Sequence, residues 1–275
     1  MLISVGHEMS LRLPQPTAIT LMLHLHPTQV DQLVGPESFN VTPAVPLRSF
    51  TDVFGNRCHR VMAPAGRITF AHAALVTNHG LPDPQVFDAR QHPVEELPDD
   101  VLQFLLASRY CEVDSELRSV ATAWFGHLLP GWSLVMAVCN AVHRHIKFDY
   151  LQARANRTSL EAFRERTGVC RDYMHLAITF CRILNIPARY CSGYLGDIGV
   201  PMVPPMDFSA WFEVYLGGRW HAFDARNNIP RIGRVLMTRG RDAADVALTT
   251  TFGASSLDGF RVWTDEVAAV STESP

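Results

Sequence analysis

From Leu11 to about Thr77 apolar and polar residues alternate in short runs, such as Ile19 to His26 and Arg67 to Phe70, broken by Pro27, Gly35, Pro36, Pro43, Pro46 and Gly55. Alternation of period two between turn residues predicts antiparallel strands forming a small β-sandwich. Asp52 to Arg57 reads as a turn leading into one of them. A polar stretch with several prolines, Leu81 to Pro98, then separates this half from one in which apolar residues recur at helical spacing. Leu117, Val120, Ala121, Trp124, Phe125 and Leu128 predict an amphipathic helix capped by Asp114, and Leu134, Val138, Ala141, Val142 and Ile146 predict a second. Thr158 and Glu161 form a capping-box pattern for a short third helix ending near Arg166. The division between the halves is expected at 97/98, with a β-rich unit over 1–97 and an α+β unit over 98–275.

The run from Cys170 to Leu184 carries two adjacent apolar stripes: Met174, Ala177, Ile178, Cys181 and Leu184, then Leu176, Phe180 and Ile183. A helix with two stripes is surrounded by protein. Its polar strip, Asp172, His175, Thr179 and Arg182, is expected to face outward. Asn185 and Pro187 stop it. Cys170 thus opens a central helix, where unpaired backbone N–H groups and the positive end of the dipole favour a thiolate. On position alone it serves equally as a nucleophile or as one more small buried hydrophobe.

Beyond Pro187, residues 188–194 read as a strand and 196–207, with Pro201, Pro204 and Pro205, as an irregular loop. A hairpin follows: Ala210 to Leu216 and Arg219 to Ala225, joined by Gly217 and Gly218, the residue type a two-residue primed turn demands. Pairing outward from the turn sets Tyr215 against Trp220, Glu213 against Ala222 and Trp211 against Asp224. Ser209, Trp211, Glu213 and Asp224 then share one face, and Phe212, Val214 and His221 the other. Residues 230–237 and 245–252 read as strands completing this sheet. Arg226, Arg231, Arg234, Arg239 and Arg241, interspersed with Asp242 and Asp245, read as a solvated face rather than a carboxylate site. The end, Ser271 to Pro275, is expected to be frayed.

Composition narrows the chemistry. With 275 residues, 47% hydrophobic content and a formal charge of -3, the chain has ample core and no basic stripe, which argues against nucleic-acid or membrane-surface binding. The N-terminus has no cationic leader pattern and no run of about 18 apolar residues occurs, so a cytoplasmic protein is expected. Six cysteines without C-x-x-C spacing suggest neither a disulfide framework nor a zinc knuckle. His24 with His26, on one face of a strand, and His143 with His145 are the pairs spaced to hold a metal. Neither has a third ligand at a recognisable spacing, so no metal and no cofactor are assigned.

Five segments, in order, carry a resemblance: Gly168 to Tyr173 (GVCRDY), Ile186 to Arg189 (IPAR), Ser192 to Tyr194 (SGY), Asp207 to Glu213 (DFSAWFE) and Arg219 to Asp224 (RWHAFD). Across 134–228 the chain resembles the transglutaminase-like superfamily, whose members use a papain-type Cys-His-Asp triad. The strand-rich first part is similar to the bacterial N-terminal region found with such domains. The resemblance implies an α+β core of helices on an antiparallel sheet, Cys170 as nucleophile and Asp224 as the acid orienting the base. Where the family typically shows that base, this chain has Ser209, and a hydroxyl neither activates a thiol nor protonates a leaving amine at pH 7. His221 lies on the face opposite Asp224, and His175 is about 140° around the helix from Cys170. A distant histidine, His7, His79 or His92, remains as a substitute. Two functions follow from the resemblance. One is slow cysteine acyl transfer on peptide or amide bonds, by hydrolysis or transamidation, with Arg171 and the helix dipole lowering the thiol pKa and Trp211, Glu213 and Arg171 contacting substrate. The other is a non-catalytic peptide-binding or assembly module in which Trp211, Tyr215 and Trp220 form either a recognition surface or the core between hairpin and helix.

Overall fold

In the computed structural model, residues 1–202 and 206–267 are described; Pro204, Pro205 and Ser271 to Pro275 lie outside them. The alternation in the first part gives β1 (Leu2–Leu13), β2 (Thr17–Leu21), β3 (Ser38–Thr42), β4 (Arg48–Thr51), β5 (Arg57–Ala63) and β6 (Gly66–Thr77). With β13 (Thr249–Thr251) and β14 (Ser256–Val267), they form two antiparallel sheets, ordered β14-β1-β6-β3 and β13-β2-β5-β4. Leu11, Leu13, Ile68 and Phe70 from the first meet Ile19, Leu21, Val61 and Ala63 from the second, giving the expected sandwich. The turn before β5 is built by Asp52, whose Oδ1 accepts the N–H groups of Phe54 and Asn56, both at 2.9 Å.

The edge strands correct the expected division at 97/98. β13 (Thr249–Thr251) and β14 (Ser256–Val267) come from the far end of the chain, yet pair with β2 and β1. Residues 245–252 therefore do not complete the C-terminal sheet. A twelve-residue β1 without a partner on one side would expose a long row of backbone donors and acceptors, and β14, equally long, covers it.

Between these strands lie α1 (Asp99–Leu102), α2 (Leu117–Phe125), α3 (Trp132–His145), the parallel pair β7 (Lys147–Phe148) and β8 (Thr167–Gly168), α4 (Ser159–Glu165) and α5 (Cys170–Ile183). The Thr158 capping box is present: its Oγ1 accepts from Glu161 N at 3.3 Å, and Glu161 Oε2 accepts from Thr158 N at 2.9 Å. Asp114 does not cap α2; Ser115 Oγ accepts from Leu117 N at 3.4 Å. A second sheet system, β11-β10-β9-β12, contains β9 (Ala188–Tyr194), β10 (Ser209–Leu216), β11 (Arg219–Phe223) and β12 (Val235–Gly240). Gly217 and Gly218 both have positive φ, 58° and 83°, and the register sets Tyr215 against Trp220 as expected. Among the described residues no helix is long and apolar enough to cross a membrane.

Both apolar stripes of α5 are buried as far as Cys181, with Ile183 and Leu184 partly so, against Phe125, Val138 and Val142 of α2 and α3 and Phe212, Val214 and Leu216 of β10. Its polar strip is buried too, contrary to expectation: Asp172, His175 and Thr179 are 0% exposed and Arg182 2%. Coil segments near 106–111 and 241–243 run over it and supply partners. Arg182 donates to the carbonyls of Leu106 (3.0 Å), Ala188 (2.9 and 3.1 Å) and Arg241 and to Ser108 Oγ. His175 Nε2 accepts from Ala243 N at 3.1 Å, with its ring stacked on Tyr110. The strip is polar because it ties down carbonyls of irregular chain that have no ladder to join. Replacing Arg182 by Met is therefore expected to cost about 3 kcal/mol or more in urea unfolding, because several buried carbonyls lose their donor at about 1–3 kcal/mol each. A loss below about 1 kcal/mol would show that the strip is not needed.

Candidate active site

The first turn of α5 is fixed from two sides. α4 ends at Arg166 in the left-handed conformation (φ 56°), and the chain crosses β8 to reach Val169. Asp172 Oδ2 accepts the Val169 N–H at 2.9 Å and pairs with Arg157 Nη1 at 3.0 Å. Cys170 then sits half-buried at the wall of a cavity of about 320 Å³, with Tyr150, Asp207, Ser209, Arg226, Asn227 and Arg231. The backbone N–H groups of Ala210 and Arg171 lie close enough to the sulfur to favour its charged form. Donors aimed at this point suit a developing oxyanion as well as a thiolate.

The expected activation by the helix start is outweighed. Burial pushes the Cys170 thiol up to about 11; the Arg226 guanidinium and the two backbone donors pull it down, while the Asp207 carboxylate pushes it further up. Removal from water decides the sign, and the thiol is protonated at pH 7. Burial raises Asp207 as well.

Ser209 opens β10 opposite Gly193 and lines the cavity with Cys170. Asp224 follows β11 directly, but it does not face Ser209. Its carboxylate accepts from Arg226 N (3.0 Å), Asn227 N (2.9 Å), Asn227 Nδ2 (2.7 Å) and Arg234 Nη2 (3.2 Å), and it lines a separate cavity of about 40 Å³ with Trp132 and Cys139. Asn227, absent from the sequence-based assignment, bonds Asp224 with its side chain and lines the Cys170 cavity, where Arg226 also stands and reaches Asp224 through its backbone N–H. The signal available for it was the spacing: an acid followed three residues later by Asn is a turn whose side chains can meet.

The other assigned residues lie elsewhere. Ala210, Phe212, Val214 and Leu216 face α5, so the alternate residues of β10 turn away from it. Trp211 packs on Cys191 and Leu236 beneath Arg234, and Glu213 pairs with Arg189 at 2.6 Å, which stacks over Trp220. Neither Trp211 nor Glu213 lines the cavity. The Arg171 guanidinium lies over Tyr110 and donates to the carbonyls of Arg154 and Ala155, so this residue reaches the sulfur through its backbone alone. Arg231 and Arg234 are not a solvated face: both are largely buried, Arg231 paired with Asp197 and Arg234 with Asp83 and Asp224. Among the described residues no histidine lines the cavity. His221 bonds the Leu216 carbonyl, His7 bonds Tyr194, His92 contacts Glu96 and His79 accepts from Leu81 N.

Residues 126–225 match the family described as the transglutaminase-like superfamily. They form a transglutaminase-like core. A Cytophaga hutchinsonii chain solved under the name "Putative Cysteine Protease" is similar over 98% of this chain and 91% of its own, with a TM-score of 0.83 and 29% identity. An uncharacterized protein of Mycobacterium leprae (strain TN) is 28% identical over 211 residues, 71% of this chain and 73% of the relative. In the transglutaminase-like core described here, a neutral thiol predicts slow alkylation. The iodoacetamide rate at Cys170 is expected to keep rising through pH 10, and Arg226→Ala should shift its midpoint upward by removing a cation. A midpoint below pH 8 would overturn the account of burial as the dominant effect.

Proposed function

We propose that this protein performs attenuated cysteine acyl transfer on peptide or small amide substrates. The observation that carries the reading is a thiol at a helix mouth, reached by a cavity, with two backbone N–H groups directed at it. In that arrangement Cys170 attacks the substrate carbonyl, the backbone donors hold the oxyanion, and water or an amine releases the acyl group. The weakness is the proton. Among the described residues no imidazole lines the cavity, so none of them titrates near pH 7 by its ordinary pKa to take the thiol proton and return it to the leaving amine. Sites stripped of a triad member still exceed uncatalysed hydrolysis by roughly 10³–10⁴-fold through binding and oxyanion contacts, which sets the expected level.

The raised thiol favours a second reading, a binding module that uses the same cavity for a peptide without turnover. Six free cysteines, five of them buried, suit a reducing compartment, and we place either form in the cytoplasm.

Asn227 and Asp224 supply the test. An imidazole at position 227 would take over the hydrogen bond to Asp224 beside the Cys170 cavity, whereas Ser209 makes no hydrogen bond to that carboxylate. Asn227→His is expected to raise hydrolysis of a chromogenic peptide amide about 10²-fold or more and to lower the apparent thiol pKa, with Ser209→His giving a smaller gain. If folded Asn227→His protein gains neither activity nor a lower thiol pKa, the acyl-transfer reading fails. Peptide affinity that survives Cys170→Ala in a protein without turnover would then establish the binding module.

A further inference from the structure

The inward rows of β1 and β6 are apolar except at one level. Along β1 they read Ile3, Val5, His7, Met9, Leu11 and Leu13, and along β6 Ile68, Phe70, His72, Ala74 and Val76. His7 and His72 are directly paired in the register, and each interrupts its row at the midpoint. Below them lies the core shared by the two sandwich sheets; above them lies a second core shared with Tyr194, Val235 and Met237 of the β9–β12 sheet. Burying imidazoles where a valine would pack costs free energy unless their nitrogens are used.

Beside this level the chain gathers ligand-type groups from three separate stretches, at His24, Glu37 and His72. Glu37 Oε2 lies 2.8 Å from His72 Nε2, and Glu37 Oε1 3.3 Å from His24 Nδ1. One donor atom from each of the three lies within 4.8 Å of the others. Ligand atoms around tetrahedral zinc stand about 3.3 Å apart, as bonds of about 2.0–2.2 Å require. His24 is 96% buried (4% exposed), and neither of its ring nitrogens has a hydrogen-bond partner meeting normal geometry; the neighbouring His59, 5% exposed, leaves Nδ1 without one. Behind His72, its Nδ1 lies 3.1 Å from the Tyr194 hydroxyl, which also meets His7 Nδ1 at 2.7 Å. That is the outer partner a metal-bound imidazole uses to fix its ring. We propose that His24, Glu37 and His72 form a zinc-binding site bracing the seam between the two cores. Arg57, in contact with Glu37 Oε1, is the cation that zinc must displace, and its side chain is 45% exposed, so it can leave to solvent. The pairing of His24 with His26 suggested by sequence is not used: both lie beyond the end of β2, and His26 Nδ1 instead caps the following turn through Thr28. His143 and His145 lie in the last turn of α3 and contribute nothing here.

The full chain, freed of metal with a chelator and desalted, is expected to take up one equivalent of zinc in a competition titration with a chromogenic indicator. Its Tm should rise by roughly 5 °C or more at a hundredfold excess over Kd. His72→Ala and Glu37→Gln should lose that equivalent, Cys170→Ala should keep it, and Arg57→Ala should bind more tightly. Because a seam variant that fails to fold is silent, the unmodified protein is also titrated with cobalt, whose visible bands report tetrahedral nitrogen and oxygen ligands. Absence of both zinc uptake and a Tm shift in the unmodified protein overturns the proposal. So does zinc that is lost in Cys170→Ala and retained in His72→Ala, since that places the ion at the cavity thiol.

Discussion

Enclosure of α5 from Asp172 to Arg182 is the constraint from which the rest of the structure follows. Once both apolar stripes and the polar strip are covered, every polar atom on the helix needs an internal partner, because an unmet buried group costs about 1–3 kcal/mol. The coil at 106–111 and 241–243 meets part of that need, with carbonyls for Arg182 and the Ala243 N–H for His175 Nε2, and so acquires a fixed path without forming regular structure, while His175 Nδ1 is left without a partner. The same packing covers one side of the helix's first residue, Cys170, whose other side lines the cavity. Removal from water costs the Cys170 thiolate more than two backbone donors and Arg226 return, and the thiol stays protonated. The packing that fixes the helix and the upward shift of the Cys170 thiol thus have one origin.

Much of this was legible in the residues. Alternation located the sandwich strands, the two stripes located α5, and Gly217-Gly218 fixed the hairpin register, because each rests on a local periodicity that the backbone must obey. What local pattern does not carry is which distant segment covers a given face. A polar strip reads as solvent-facing until a loop is known to cross it, and a strand near the chain's end reads as completing the nearest sheet until β14 is seen beside β1. The position of Asp224 shows the same limit at the scale of one turn. Its pairing was read correctly to the end of β11, but the residues after the strand fold back and fill its carboxylate with their own N–H groups. That turn sets Asn227 and Arg226 between the acid and the cavity, while Ser209, which the resemblance puts in the base position, lines the cavity without a hydrogen bond to Asp224.

Interleaving of the two ends of the chain couples the cavity to the sandwich. Tyr194 belongs to β9, yet its hydroxyl lies between His7 and His72, and the next residue, Leu195, lines the Cys170 cavity. Phe208 repeats the arrangement from the other side: its ring meets His7 at 5.3 Å and Tyr194 at 5.4 Å, it lines the cavity, and Ser209 follows it. Both walls thus have one foot in the histidine seam. A side chain packed at interior density cannot shift without its neighbours moving, so whatever sets the spacing of β1 and β6 at that level also sets where Leu195 and Ser209 stand relative to the sulfur. The N-terminal sandwich is in this sense part of the cavity's frame, and β14, by closing the edge of β1, holds that frame in place.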